Sequence, residues 1–147
     1  MKAIKRLAAS FMALVAVMTS MTGISASAAS SGSQEVAPGV FLNGDIGVSW
    51  YSPAGGVYVY TVTATTWLSG AVSYSNPWYL YTGLDLDYYP SGVLIDQAFA
   101  AGAAYQTPVS ASVSGSRRNT QASAFASHEV RGAYSGGFYT SLVNFSI

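Results

Sequence analysis

The sequence predicts an all-β protein: a small antiparallel β-sandwich or jelly roll, a single domain that follows a cleaved signal peptide. Three observations predict it. Apolar residues alternate with small polar ones in at least four segments, the mark of half-buried strands. Tyr, Val, Thr and Ser are abundant throughout, residues that suit a pleated surface or its edges. Gly, Pro and Asn recur at close intervals as turn signals, so the chain accommodates roughly eight to ten short strands.

The chain opens with Lys2, Lys5 and Arg6, runs through an uncharged apolar stretch, and reaches Ser25-Ala26-Ser27-Ala28-Ala29. A basic start, an apolar middle and a small-residue exit make a secretory signal peptide, with cleavage after Ala28 or Ala29. The expected organisation is residues 1–29 as signal peptide, 30–38 as a flexible N-terminal segment, and 39–147 as the β-sandwich domain. No stretch after the signal is long and apolar enough to span a bilayer as a helix. The protein is expected to be secreted, and the style of the signal together with the absence of cysteine points to a Gram-positive bacterium.

Removal of the signal changes the charge. The whole chain is neutral, but its two lysines and Arg6 lie in the first six residues. What remains is Arg117, Arg118 and Arg131 against Glu35, Asp45, Asp85, Asp87, Asp96 and Glu129, a net charge of −3. Such a domain lacks the clustered Lys or Arg that phosphate neutralisation needs, so nucleic acid is excluded as a partner. With no cysteine, packing and sheet hydrogen bonds alone must hold the fold, where small secreted domains often use disulfides.

The strands follow in order. Phe41-Leu42 and residues 46–51 flank Asn43-Gly44-Asp45, which has the composition of a hairpin turn. In residues 57–68 the even positions are Tyr, Tyr, Val, Ala, Thr and Leu, and the odd ones Val, Val, Thr, Thr, Thr and Trp. Side chains alternate faces along a strand, so the even set is expected inward and Trp67 outward among threonines. Residues 71–74 read as a short strand ended by Asn76-Pro77, and residues 78–82 and 84–89 as two more. Tyr89-Pro90-Ser91-Gly92 is a turn. Residues 93–104 fit either a short helix or a strand with an irregular exit. Two alternating segments, 109–114 and 121–127, are joined by Gly115-Ser116-Arg117-Arg118-Asn119 as a hairpin. The last strand, residues 138–147, places Tyr139, Val143, Phe145 and Ile147 on one face.

Catalytic motifs are absent. His128, the sole histidine, has no second His at metalloprotease spacing, and is expected to be exposed near a strand end beside Glu129 or Arg131. Asp85 and Asp87, two apart in a strand, share a face. They repel unless a cation sits between them, which suits Ca²⁺, with Asp45 as a third oxygen ligand brought in by the fold. A glycosidase pair needs carboxyls opposed across a cleft, which neighbours on one strand do not provide.

The aromatics are the second candidate site. Aromatic faces stack on apolar rings and give contact area at low entropic cost. Trp67 among Thr hydroxyls, and Trp78 and Tyr79 after the Asn76-Pro77 corner, are the expected ligand-contacting residues, with Trp50 beside them. The leading expectation is therefore a non-enzymatic protein that binds an extracellular glycan, surface or protein partner. The alternatives are an antimicrobial or pore-forming toxin-like β protein and, third, a self-associating matrix protein, since weakly charged strands with free edges are adhesive.

Overall fold

The computed structural model describes residues 24–54 and 56–147. They form eight strands: β1 (Ile24–Ala37), β2 (Val40–Ala54), β3 (Val57–Gly70), β4 (Trp78–Tyr88), β5 (Leu94–Ala101), β6 (Val109–Arg118), β7 (Gln121–Gly132) and β8 (Gly136–Ser146). There is no helix among the described residues. One sheet has the order β1-β2-β3-β6 and the other β5-β4-β7-β8. Every neighbouring pair is antiparallel.

The period-2 pattern of β3 comes out as the alternation predicts. Tyr60, Val62, Ala64, Thr66 and Leu68 are buried, and the residues between them are half-buried on the outer face. The same rule turns Trp78, Leu80, Thr82, Leu84 and Leu86 of β4 inward. In β7 it buries Ala122, Ala124, Ala126, His128 and Val130. These inner faces meet, and hydrophobic side chains of both sheets fill the space between them.

That core is split. One cluster includes Ile46, Val62, Leu84, Val113 and Ala124. The other is built on Leu42, Leu68, Trp78, Leu80 and Val130. Between them lies a polar layer of Thr66, Thr82 and His128, all at most 1% exposed. Cross-strand register places these residues together: Gly44 pairs with Thr66 in the first sheet, and Thr82 with His128 in the second.

Several sequence expectations are corrected. Asn43-Gly44-Asp45 is not a turn, because β2 runs straight through it and is paired on both sides. Gly44 is there for clearance, since a Cβ at that position would run into the His128 ring. Residues 71–74 form no strand, and residues 78–88 form one strand rather than two. Residues 94–101 settle as β5. The loop after β6 does not close a hairpin: β6 pairs with β3 and β7 with β4, so the chain changes sheets there. The face assigned to the last strand also breaks, because the β7–β8 register shifts between Ala122 and Ala124. Tyr139 and Val143 point to solvent, while Ile147 is fully buried.

At the N-terminus, residues 1–23 of the expected signal peptide lie outside the described residues. Residues 24–29 begin β1, and the segment from 30, expected to be flexible, continues that strand to Ala37. Small Ser, Ala and Gly side chains are no obstacle there, because the strand is held by its pairing with β2 and by Val36 and Ala37 packed on the core. Ser33 Oγ adds one to Asn43 Oδ1 at 2.9 Å.

Candidate binding site

The four aromatic candidates are not brought together. Trp78 is fully buried, a correction to its expected place at a surface corner. It is the first inward position of β4, its ring meets Tyr105 edge-on with centroids 5.7 Å apart, and its Nε1 donates to the Ser73 carbonyl at 3.1 Å. Trp50 is half-buried against the core and edge-on to Tyr58. Trp67 is half-buried on the outer face of the first sheet, in line with Thr61, Thr63 and Thr65. Tyr79 is half-buried on the outer face of the second sheet, opposite Arg131 in register.

The acidic candidates separate as well. Asp85 and Asp87 share the outer face of β4, as their spacing predicts, and the charge of Asp85 together with burial, the larger cause, raises the pKa of Asp87. Asp45 sits in the first sheet, paired with Ser31 and Thr65. Among the described residues no group of three or more His or carboxylate side chains gathers as a metal site. A Ca²⁺ ion takes roughly six to eight oxygen ligands, and Asp45 is not placed to contribute one beside Asp85 and Asp87.

His128 is also corrected, from exposed to 1% exposed. Its Nδ1 and the Thr66 hydroxyl are 2.8 Å apart, as are its Nε2 and the Thr140 hydroxyl. The Thr82 hydroxyl continues the chain, 2.7 Å from Thr66 Oγ1 and 3.0 Å from the Val109 carbonyl. Desolvation lowers the His128 pKa to about 4, against a smaller opposing pull from Asp45. Both ring nitrogens are thus engaged inside the core, and the ring is a neutral strut between the sheets.

A cleft lies elsewhere, on the outer face of the second sheet. Register aligns four residues straight across it: Phe99 of β5, Gly83 of β4, Ser127 of β7 and Tyr139 of β8. The next row reads Gln97, Asp85, Phe125 and Ser141. In the first row the two edge strands carry aromatic rings, three strand spacings or roughly 14 Å apart, over a floor of Gly83 and Ser127, and in the second row Phe125 rises from central β7. Gly83 keeps that floor low, since a Cβ there would come within 2.5 Å of Ser127 Oγ. The cleft so formed measures about 530 Å³, within the roughly 300–1,000 Å³ common for small-ligand sites.

These rings are open to solvent. Tyr139 is 82% exposed, Phe99 68% and Phe125 42%. Tyr81 leans on Phe99, with centroids 6.2 Å apart and planes 31° apart. Beyond Tyr81, Arg131 lies over its ring at 4.7 Å and is forked onto Glu129 at 2.6 and 2.9 Å. Sequence reasoning missed Phe99, Phe125 and Tyr139 because each lies on a different strand, and only the register of four strands makes them neighbours. The one local signal was Gly83 at an outward position of a strand, which marks close approach or clearance. Comparison with known protein families, curated proteins and solved structures returns no match.

Proposed function

We propose that the protein is a secreted, non-enzymatic β-sandwich module that binds an extracellular glycan through the cleft on its second sheet. The observation that carries this reading is the row Phe99, Gly83, Ser127 and Tyr139, which sets exposed rings on either side of a cleared polar floor. A pyranose ring has an apolar face for the aromatic rings and hydroxyls for polar groups. Asp85, Gln97 and Ser127, all lining the cleft, supply such groups. Phe99 and Tyr139 lie outside the core clusters and turn most of their surface to water, so their rings are free to stack on a ligand. The reading keeps the class of function expected from the sequence and moves its residues from Trp67, on the first sheet, and Trp78, in the core, to the outer face of the second sheet.

Phe99→Ala, Phe125→Ala and Tyr139→Ala test it. Exposed side chains contribute little to stability, so each variant is expected to melt within a few degrees of the wild type, a change of about 0.5 kcal/mol or less. Retention on insoluble peptidoglycan, chitin or cellulose is expected to fall with each. Trp67→Ala, on the other sheet, is expected to keep it. If the wild type is retained on none of the three polysaccharides, the glycan reading fails and the toxin-like and matrix alternatives take its place.

A further inference from the structure

The cleft carries a charge as well as rings. Asp85 lines it, exposed, and makes no ion pair or side-chain hydrogen bond among the described residues. Asp87 follows on the same face, half-buried, and burial first, with the Asp85 charge adding to it, disfavours ionisation of Asp87. No basic side chain lines the cleft. The nearest arginine in the register of this face, Arg131, lies opposite Tyr79 and is held by Glu129.

Resting on the glycan reading, we propose that the cleft prefers a cationic amino sugar, a glycan with free ammonium groups, over a neutral or N-acetylated one. Three features favour a positive charge there. Aromatic faces attract cations through their negative quadrupole, and Phe99, Phe125 and Tyr139 all line the cleft. The Asp85 carboxylate accepts charge-assisted hydrogen bonds from an ammonium group, stronger than those from a hydroxyl. An ammonium group beside Asp85 also relieves the repulsion between Asp85 and Asp87, so the pair is more favourable with ligand than without. An anionic glycan meets the opposite situation on every count.

Calorimetric titration of the purified protein with three β-1,4-linked hexasaccharides decides it: glucosamine, N-acetylglucosamine and glucose, at a mildly acidic pH where the amines are protonated. The glucosamine hexamer is expected to bind about tenfold more tightly than the other two, a difference of about 1.4 kcal/mol, and to lose that margin in high salt. Asp85→Asn is expected to remove the preference. Asp45→Asn, which makes the same change in net charge on the other sheet, is expected to preserve it. Equal affinity for all three sugars, or equal effects of the Asp85 and Asp45 variants, overturns the ammonium preference while leaving a glycan site. Binding of none of the three overturns the glycan reading and this inference with it.

Discussion

His128 shows how much one side chain can determine. A neutral imidazole has one donor and one acceptor nitrogen, and the Thr66 and Thr140 hydroxyls stand 2.8 Å from one each. Protonation turns the acceptor into a second donor and places a charge in the core, which is why burial depresses the pKa from 6.5 to about 4. The unfolded chain takes up the proton near 6.5, the folded one only near 4. Folding stability from this residue is therefore fully present above pH 6.5 and is lost progressively as the pH falls towards 4. The most it contributes is about 3 kcal/mol, at about 1.4 kcal/mol per pKa unit. Urea denaturation at neutral pH and near pH 4.5 is expected to show that loss, and a His128→Gln variant to show a flatter profile. A wild-type protein equally stable at both values would mean the ring is hydrated. This role was hard to read in advance, since a lone His in an alternating strand looks the same whether the partner it meets is solvent or another sheet. The one clue, a glycine at position 44, reads equally well as a turn.

Elements differ in how far they could be read. The alternation in β3, β4, β6 and β7 is a local property, visible without knowing what the strands face. Pairing is not local. Segments 109–114 and 121–127 look like hairpin partners because they are adjacent in the chain, yet their hydrogen bonds go to β3 and β4. Polar β1 was the hardest element, because among the described residues Val36 and Ala37 alone of its length pack on the core, and the Ser-, Ala- and Gly-rich stretch before them shows no clear alternation. That strand also bears on processing. Ile24 to Ala28 pair with Ser52 to Val48 of β2. If the chain is cleaved after Ala28 or Ala29, those partners are lost and nearly half of one edge of β2 is left without its neighbour, a type of edge that invites strand addition. The amides within residues 48–52 of β2 that face β1 are then expected to exchange with deuterium faster in a chain cleaved at that point than in the full chain. The β3-facing amides of β2 are expected to exchange at similar rates in both. Equal protection in the two forms would mean that residues 24–28 contribute no stable pairing.

At the scale of the molecule, the two sheets are aligned by the polar layer that divides their shared core. Oily side chains tolerate sliding, but a hydroxyl or an imidazole moved by one residue pair would face Leu, Val or Ala without a partner. The chain Thr82, Thr66, His128 and Thr140, with links of 2.7 to 2.8 Å, is satisfied in one alignment only. The face on which Phe99, Gly83, Ser127 and Tyr139 line up is set by the pairing within the second sheet, and the polar layer holds that sheet against the first. Without disulfides, such a layer is a physical means of fixing the register. Buried polar networks add specificity in some proteins and merely cost stability in others, so the role needs a direct test. Thr66→Val keeps the shape and deletes the hydroxyl between Thr82 and His128. It is expected to lower stability by roughly 1–3 kcal/mol, the cost of leaving buried partners unsatisfied. Thr82→Val removes the next link. Since the two act through one hydrogen bond, the double variant is expected to lose less than the two single losses combined. Denaturant melts of the four proteins measure this coupling. Strict additivity would show that the hydroxyls act independently, and the layer would then be polar filling rather than the device that registers one sheet on the other.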